Sequence, residues 1–122
     1  MKKVIYSSLA LSVLFLTLSA FNSSSPVLLP TNLKVTVLDQ TGNIVQGATV
    51  VLFKSESDWF DEKDPIREGQ KTDAKGRTVF KKLSPDKYFI YAKKGDKDNV
   101  GEVVSTSKLR EGKTNLVNVI IK

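Results

Sequence analysis

The sequence predicts an all-β fold, a sandwich of seven short strands, and three observations carry that prediction. Apolar residues recur at every second position in several short runs, as in Leu33, Val35 and Val37 against Lys34 and Thr36. Gly-, Asp- and Asn-containing turns separate most of these runs, as at Asp39–Asn43, Asp73–Gly76 and Gly95–Asn99. No stretch beyond the first twenty residues sustains a helical period, and short strands punctuated by turns are the pattern of two packed sheets.

Taken in order, Leu33–Val37 opens the domain as a strand with one dry face. Ala48–Phe53 is nearly continuously apolar, as expected where both faces of a strand are covered. Ser55–Asp64 reads as a polar, acidic connection, and Pro65 argues against a central strand there. Ile66–Lys71 is a weak strand and Thr78–Phe80 a short one. Tyr88–Ala92 is the strongest aromatic strand, Val100–Val104 follows, and Leu116–Ile121 closes the domain. Alternation selects Leu33, Val35, Val37, Val50, Leu52, Phe80, Tyr88, Ile90, Val117, Val119 and Ile121 as the core. Phe89 and Tyr91 then face outward, and the loop carrying Trp59 and Phe60 is expected to fold over them.

Before the domain comes an export signal. Lys2 and Lys3 precede an apolar stretch from Leu9 to Leu18, and Leu18-Ser19-Ala20 offers a small-residue cleavage site before Phe21. The alternative, an uncleaved membrane anchor from Val4 to Phe21, is barely long enough and carries several hydroxyl residues. The expected division is therefore a signal peptide at 1–20, a flexible leader at 21–31 rich in Ser and Pro, and a single domain at 32–122. No cysteine follows the apolar stretch, so a lipoprotein is excluded, and the expected destination is the periplasm or the exterior. Contact with a membrane is expected only through the signal before cleavage.

The chain of 122 residues holds neither cysteine nor histidine. That excludes disulfides, Cys/His metal sites and Ser-His or Cys-His nucleophile pairs. Loss of Lys2 and Lys3 lowers the formal net charge from +6 to +4, with the charges interspersed. This is an ordinary solvated surface, and without a basic stripe it does not suggest nucleic acid.

Val37-Leu38-Asp39, Gly42, Val45, Gly47-Ala48-Thr49-Val50 and Leu52 resemble the opening of carboxypeptidase regulatory-like domains. Thr72-Asp73-Ala74-Lys75-Gly76, Phe80, Leu83 and Tyr88 resemble their second half. The resemblance spans Val37 to Ala92 and implies a prealbumin-like (transthyretin-like) Greek-key sandwich, related to collagen-adhesin B-type repeats. It implies a non-catalytic module. The related hydroxyisourate hydrolases rely on histidines and a Tyr-Arg-Gly-Ser tail, both missing from this sequence. B-type repeats often close a Lys–Asn isopeptide bond with the help of an acid. Lys34 and Asn118 are the conceivable partners here, but Ala92 stands at the acid position and Lys34 alternates away from the core.

One local constellation suggests binding. Asp58, Trp59, Phe60 and Asp61 place two aromatics between two carboxylates, the residue types that stack on sugar rings and hold their hydroxyls. The competing reading is that Trp59 anchors its loop to the core. Asp58, Asp61, Glu62 and Asp64 could also offer oxygens to Ca²⁺, although such loops are more often simply solvated. No cofactor is expected and no catalytic residue stands out. The function read from the sequence is an exported structural or protein-binding module of a bacterial envelope or its exterior. A small carbohydrate-binding protein using the acidic loop is the alternative, so a protein or a cell-surface glycan is the expected partner.

Overall fold

A computed structural model describes residues 28–122. The expected signal peptide and most of the leader lie outside the described residues. Eight strands and one short helix follow in the order β1 (Asn32–Leu38), β2 (Thr49–Phe53), α1 (Glu56–Asp61), β3 (Gln70–Lys71), β4 (Arg77–Phe80), β5 (Phe89–Lys94), β6 (Lys97–Asp98), β7 (Val104–Ser105) and β8 (Thr114–Ile120). They form two sheets. Sheet I has the order β4-β1-β8, with β1 antiparallel to β4 and parallel to β8. Sheet II runs β3-β2-β5, and both β6 and β7 pair with the outer edge of β5.

The dry faces of the strands meet between the sheets, as the period-two pattern requires. Ten of the eleven expected core residues are buried there, and Val117 is half-buried against the same cluster. A second, smaller cluster lies on the outer face of sheet II. There α1 covers β2 and β5, and Phe53, Trp59 and Tyr91 pack together with Val51 and Phe89 beside them. This explains the apolar character of β2 on both sides.

The motif residues prove to build the turns that carry the chain from one sheet to the other. The turns at Asp39 and Asp73 are built alike. In each, the aspartate amide donates to the carbonyl four residues on, at 2.9 Å in both, and the glycine amide donates back to the aspartate carbonyl. The Oδ1 of Asp39 accepts the amides of Thr41 and Asn43, and that of Asp73 accepts those of Lys75 and Arg77. These bonds favour the ionised carboxylates and hold both below the ordinary value of 3.8: the Thr41 hydroxyl contributes most at Asp39, and the Arg77 amide at Asp73. Thr72 joins the two halves of the motif, since its hydroxyl donates to the Val45 carbonyl and accepts the Ala48 amide.

Gly76 closes the second of these turns at φ +72°, and a Cβ there would stand 2.9 Å from Ile44 Cβ and 3.1 Å from the Val37 carbonyl. Both the left-handed backbone and the backbone contact oppose any side chain. Gly76→Ala is therefore expected to lower stability by about 1–2 kcal/mol or more. Gly42 has the same backbone form, at φ +86°, but open space around it. Gly42→Ala carries the conformational cost alone, and urea denaturation of the two variants measures the difference.

Three elements differ from the sequence expectation. The acidic connection contains a helix, because Ser55 caps it: its Oγ accepts the Asp58 amide at 3.1 Å, and Glu62 ends it at φ 52°. The strand expected at Ile66–Lys71 shortens to Gln70–Lys71 because Ile66 donates to the Leu52 carbonyl and Arg67 turns toward the carbonyls of Lys81 and Lys82. The strand expected at Val100–Val104 is a correction of another kind. Only Val104 of it lies in a strand, β7, while β6 falls within the turn expected at Gly95–Asn99, so eight strands replace seven, and residues 99–103 form the loop between β6 and β7.

Candidate functional site

Of the four candidate residues, the fold brings all onto α1 but turns them in different directions. Trp59 faces inward and is only 2% exposed. Its Nε1 donates to the Ile90 carbonyl at 2.8 Å, and its ring meets Tyr91 edge-on at 6.5 Å. A sugar ring has no access to that indole face. Phe60 is turned outward and 61% exposed, edge-on to Trp59 at 5.0 Å. Asp58 is half-buried, its amide held by the Ser55 cap, and Asp61 is exposed. Among the described residues no group of three or more acidic side chains converges as a cation site. Burial pushes the Tyr91 hydroxyl pKa upward, and the nearby charges of Glu62 and Asp98 push the same way.

The Lys–Asn pair is likewise resolved by alternation. Lys34 and Asn118 both lie on the outer face of sheet I, Asn118 opposite Thr36, and Ala92 is fully buried in the core. The interior therefore offers no acid at the position where B-type repeats use one.

The buried polar side chains of the described residues are bonded within the sandwich, four of them to its backbone and Thr78 to the Gln70 side chain. They are Thr31, Thr72, Thr78, Asn99 and Thr106, and each is hydrogen-bonded. Asn99 is the most informative, and nothing in the sequence beyond its place in a turn marks it. It stands where β6 has ended and β7 has not begun. Its Oδ1 accepts the Ala92 amide at 2.9 Å, and its Nδ2 donates to the Ile90 carbonyl at 2.8 Å. One carboxamide thus takes the place of a missing backbone peptide at the edge of β5.

The two flanks of the sandwich, where the sheet edges lie side by side, are treated unequally. On the β3–β4 flank, side chains stitch the edges together. Gln70 Nε2 donates to the Thr78 hydroxyl and the Val79 carbonyl, both at 2.8 Å, and Arg67 reaches the Lys81 carbonyl at 2.6 Å. On the other flank β8 is an edge strand seven residues long, with no charge, proline or bulge in it. Apart from its pairing with β1 it is held at its foot and at its end. At the foot, Asn115 ties down the turn at Arg110–Lys113. At the end, Lys122 and Asp98 exchange backbone bonds of 2.9 and 3.2 Å. Between these points runs an open groove, about 250 Å³ beside Ser105, Leu109, Leu116 and Val117, and about 110 Å³ beside Val104, Asn118 and Ile120.

No protein-family model matches the sequence, and no curated protein matches it. Solved structures do. The Bacillus anthracis TIE protein superposes with a TM-score of 0.56 at 15% identity, over 75% of this chain and 16% of its own. The group B streptococcus pilus 2b backbone protein gives the same TM-score at 14% identity, over 75% of this chain and 40% of its own. The chain thus shares a β-sandwich fold with one part of each of these longer proteins.

Proposed function

We propose that this chain is an exported, non-catalytic β-sandwich module of the carboxypeptidase regulatory-like type, with a structural or protein-binding role in a bacterial envelope or outside the cell. The observation that carries the reading is the contrast between interior and flank. Buried polar side chains are consumed by bonds within the sandwich itself, whereas a long strand edge is left open to a partner. The likeness to parts of two larger proteins, one of them a pilus backbone protein, is in keeping with a module that works by being presented. Export follows from Lys2, Lys3 and the apolar stretch to Leu18, with the chain released by cleavage before Phe21.

Expression in a bacterial host, fractionation and amino-terminal sequencing test this. The expected result is protein outside the cytoplasm beginning at Phe21. Recovery of the chain from the cytoplasm with its first twenty residues intact would overturn the reading.

A further inference from the structure

We infer that two copies of this chain pair through β8, antiparallel, about a two-fold axis at Asn118. The inference rests on the reading of the chain as a protein-binding module and names its partner.

The direction of the backbone groups is fixed by the bonds at both ends of β8. Asn32 donates to the Lys113 carbonyl, and Ile121 donates to the Leu38 carbonyl, so odd-numbered positions of this strand face β1. Lys122 faces the other way, toward Asp98. Alternation therefore turns the N–H and C=O of Leu116, Asn118 and Ile120 to the open flank, and β8 pairs with no strand but β1. The rung at Lys122 is already occupied. Thr114 would face Lys122 of a second copy, so it too is left out.

The three available residues are symmetric about Asn118. In an antiparallel pair centred there, Leu116 faces Ile120 of the second copy, Asn118 faces Asn118, and Ile120 faces Leu116. Six backbone hydrogen bonds form, and sheet I becomes a continuous six-stranded sheet. The side chains agree with that register. On the outer face, Leu116 is 75% and Ile120 47% exposed, and pairing sets each against the other. Val100 and Val103, both exposed, lie in the loop between β6 and β7. Within β8 no like charges are brought together, because it carries none. An unrelated extended peptide would satisfy the backbone groups but not account for this self-complementarity.

The exported protein provides the test, by sedimentation velocity over a concentration series and by oxidative cross-linking. The chain has no cysteine, so Asn118→Cys introduces a single thiol. Facing residues in a hydrogen-bonded antiparallel pair have Cα atoms about 5.5 Å apart, within disulfide reach. The expected results are a concentration-dependent dimer, rapid covalent dimerisation of Asn118→Cys, and at least tenfold slower cross-linking of Leu116→Cys. Asn118→Lys, which sets two cations face to face, is expected to give a monomer with an unchanged circular dichroism spectrum. A wild-type monomer at all concentrations, or a folded Asn118→Lys dimer, would overturn the pairing. Faster cross-linking at position 116 would overturn the register. A folded, exported monomer removes only the self-pairing, whereas failure of export or processing strikes the functional reading beneath it.

Discussion

Trp59→Ala is expected to destabilise the domain by about 3–5 kcal/mol, the usual cost of emptying a buried tryptophan site. Three losses coincide. The indole leaves a cavity over Phe53 and Tyr91, its Nε1 bond to the Ile90 carbonyl disappears, and α1 loses its one buried residue. Trp59→Phe separates these contributions, since it keeps aromatic bulk and removes the donor. It is expected to cost less than the alanine variant, by roughly the packing share. Chemical denaturation followed by far-ultraviolet circular dichroism measures both, as the fluorescent reporter is itself removed. A Trp59→Ala variant as stable as the wild type would mean that α1 is an appendage and the second cluster contributes nothing.

The second large effect is expected at Asn99. Truncation to alanine leaves the Ala92 amide, in the buried middle of β5, without a partner, and a lone buried donor costs about 1–3 kcal/mol before any loss of packing. Asn99→Asp is the sharper variant. It preserves shape and the acceptor for Ala92, but sets a carboxylate oxygen against the Ile90 carbonyl where an N–H stood. Its destabilisation should be greatest at neutral pH and relieved in acid, where protonation restores a donor. A denaturation midpoint that does not respond to pH would show that the Nδ2 bond is unimportant.

These two residues also mark the boundary of what could be read from the sequence. Alternation located β1, because a half-buried strand writes its burial into alternate positions, whereas β2 and β5, covered on both faces, were legible as a continuous apolar run and an aromatic run. The paired Asp-x-x-Gly turns were legible because their chemistry is local: a carboxylate within four residues of the amides it accepts. The covering role of the Trp59 loop was also foreseen from Phe89 and Tyr91, two aromatics that needed shelter. Helix α1 was not, since six residues are too few to establish a period, and only the Ser55-Glu56-Ser57-Asp58 capping pattern announced it.

Asn99 was illegible for a different reason. Its partners lie on another strand, and a carboxamide that replaces a backbone peptide looks like any turn asparagine. Val100 misled in the same region, as an apolar residue next to a missing strand reads like part of one. The candidate quartet shows the limit of composition: Asp58-Trp59-Phe60-Asp61 names the right residue types for stacking on a sugar. Only the direction of α1 shows that Trp59 is turned away from solvent and Phe60 toward it.

The parallel pairing of β1 with β8 bears on when this protein can fold. Asn32 lies beside Thr114, and Thr31 holds the Gly112 amide across 81 positions of chain. The first strand of the described residues is thus completed by the last. A ribosome that has delivered the residues up to β7 has made most of the core-forming side chains but only half of the support for β1. Such a long closure is slow to form and cannot begin early. Sheet I therefore stays open on one side of β1 until the residues of β8 have been made, and the chain remains extensible up to that point.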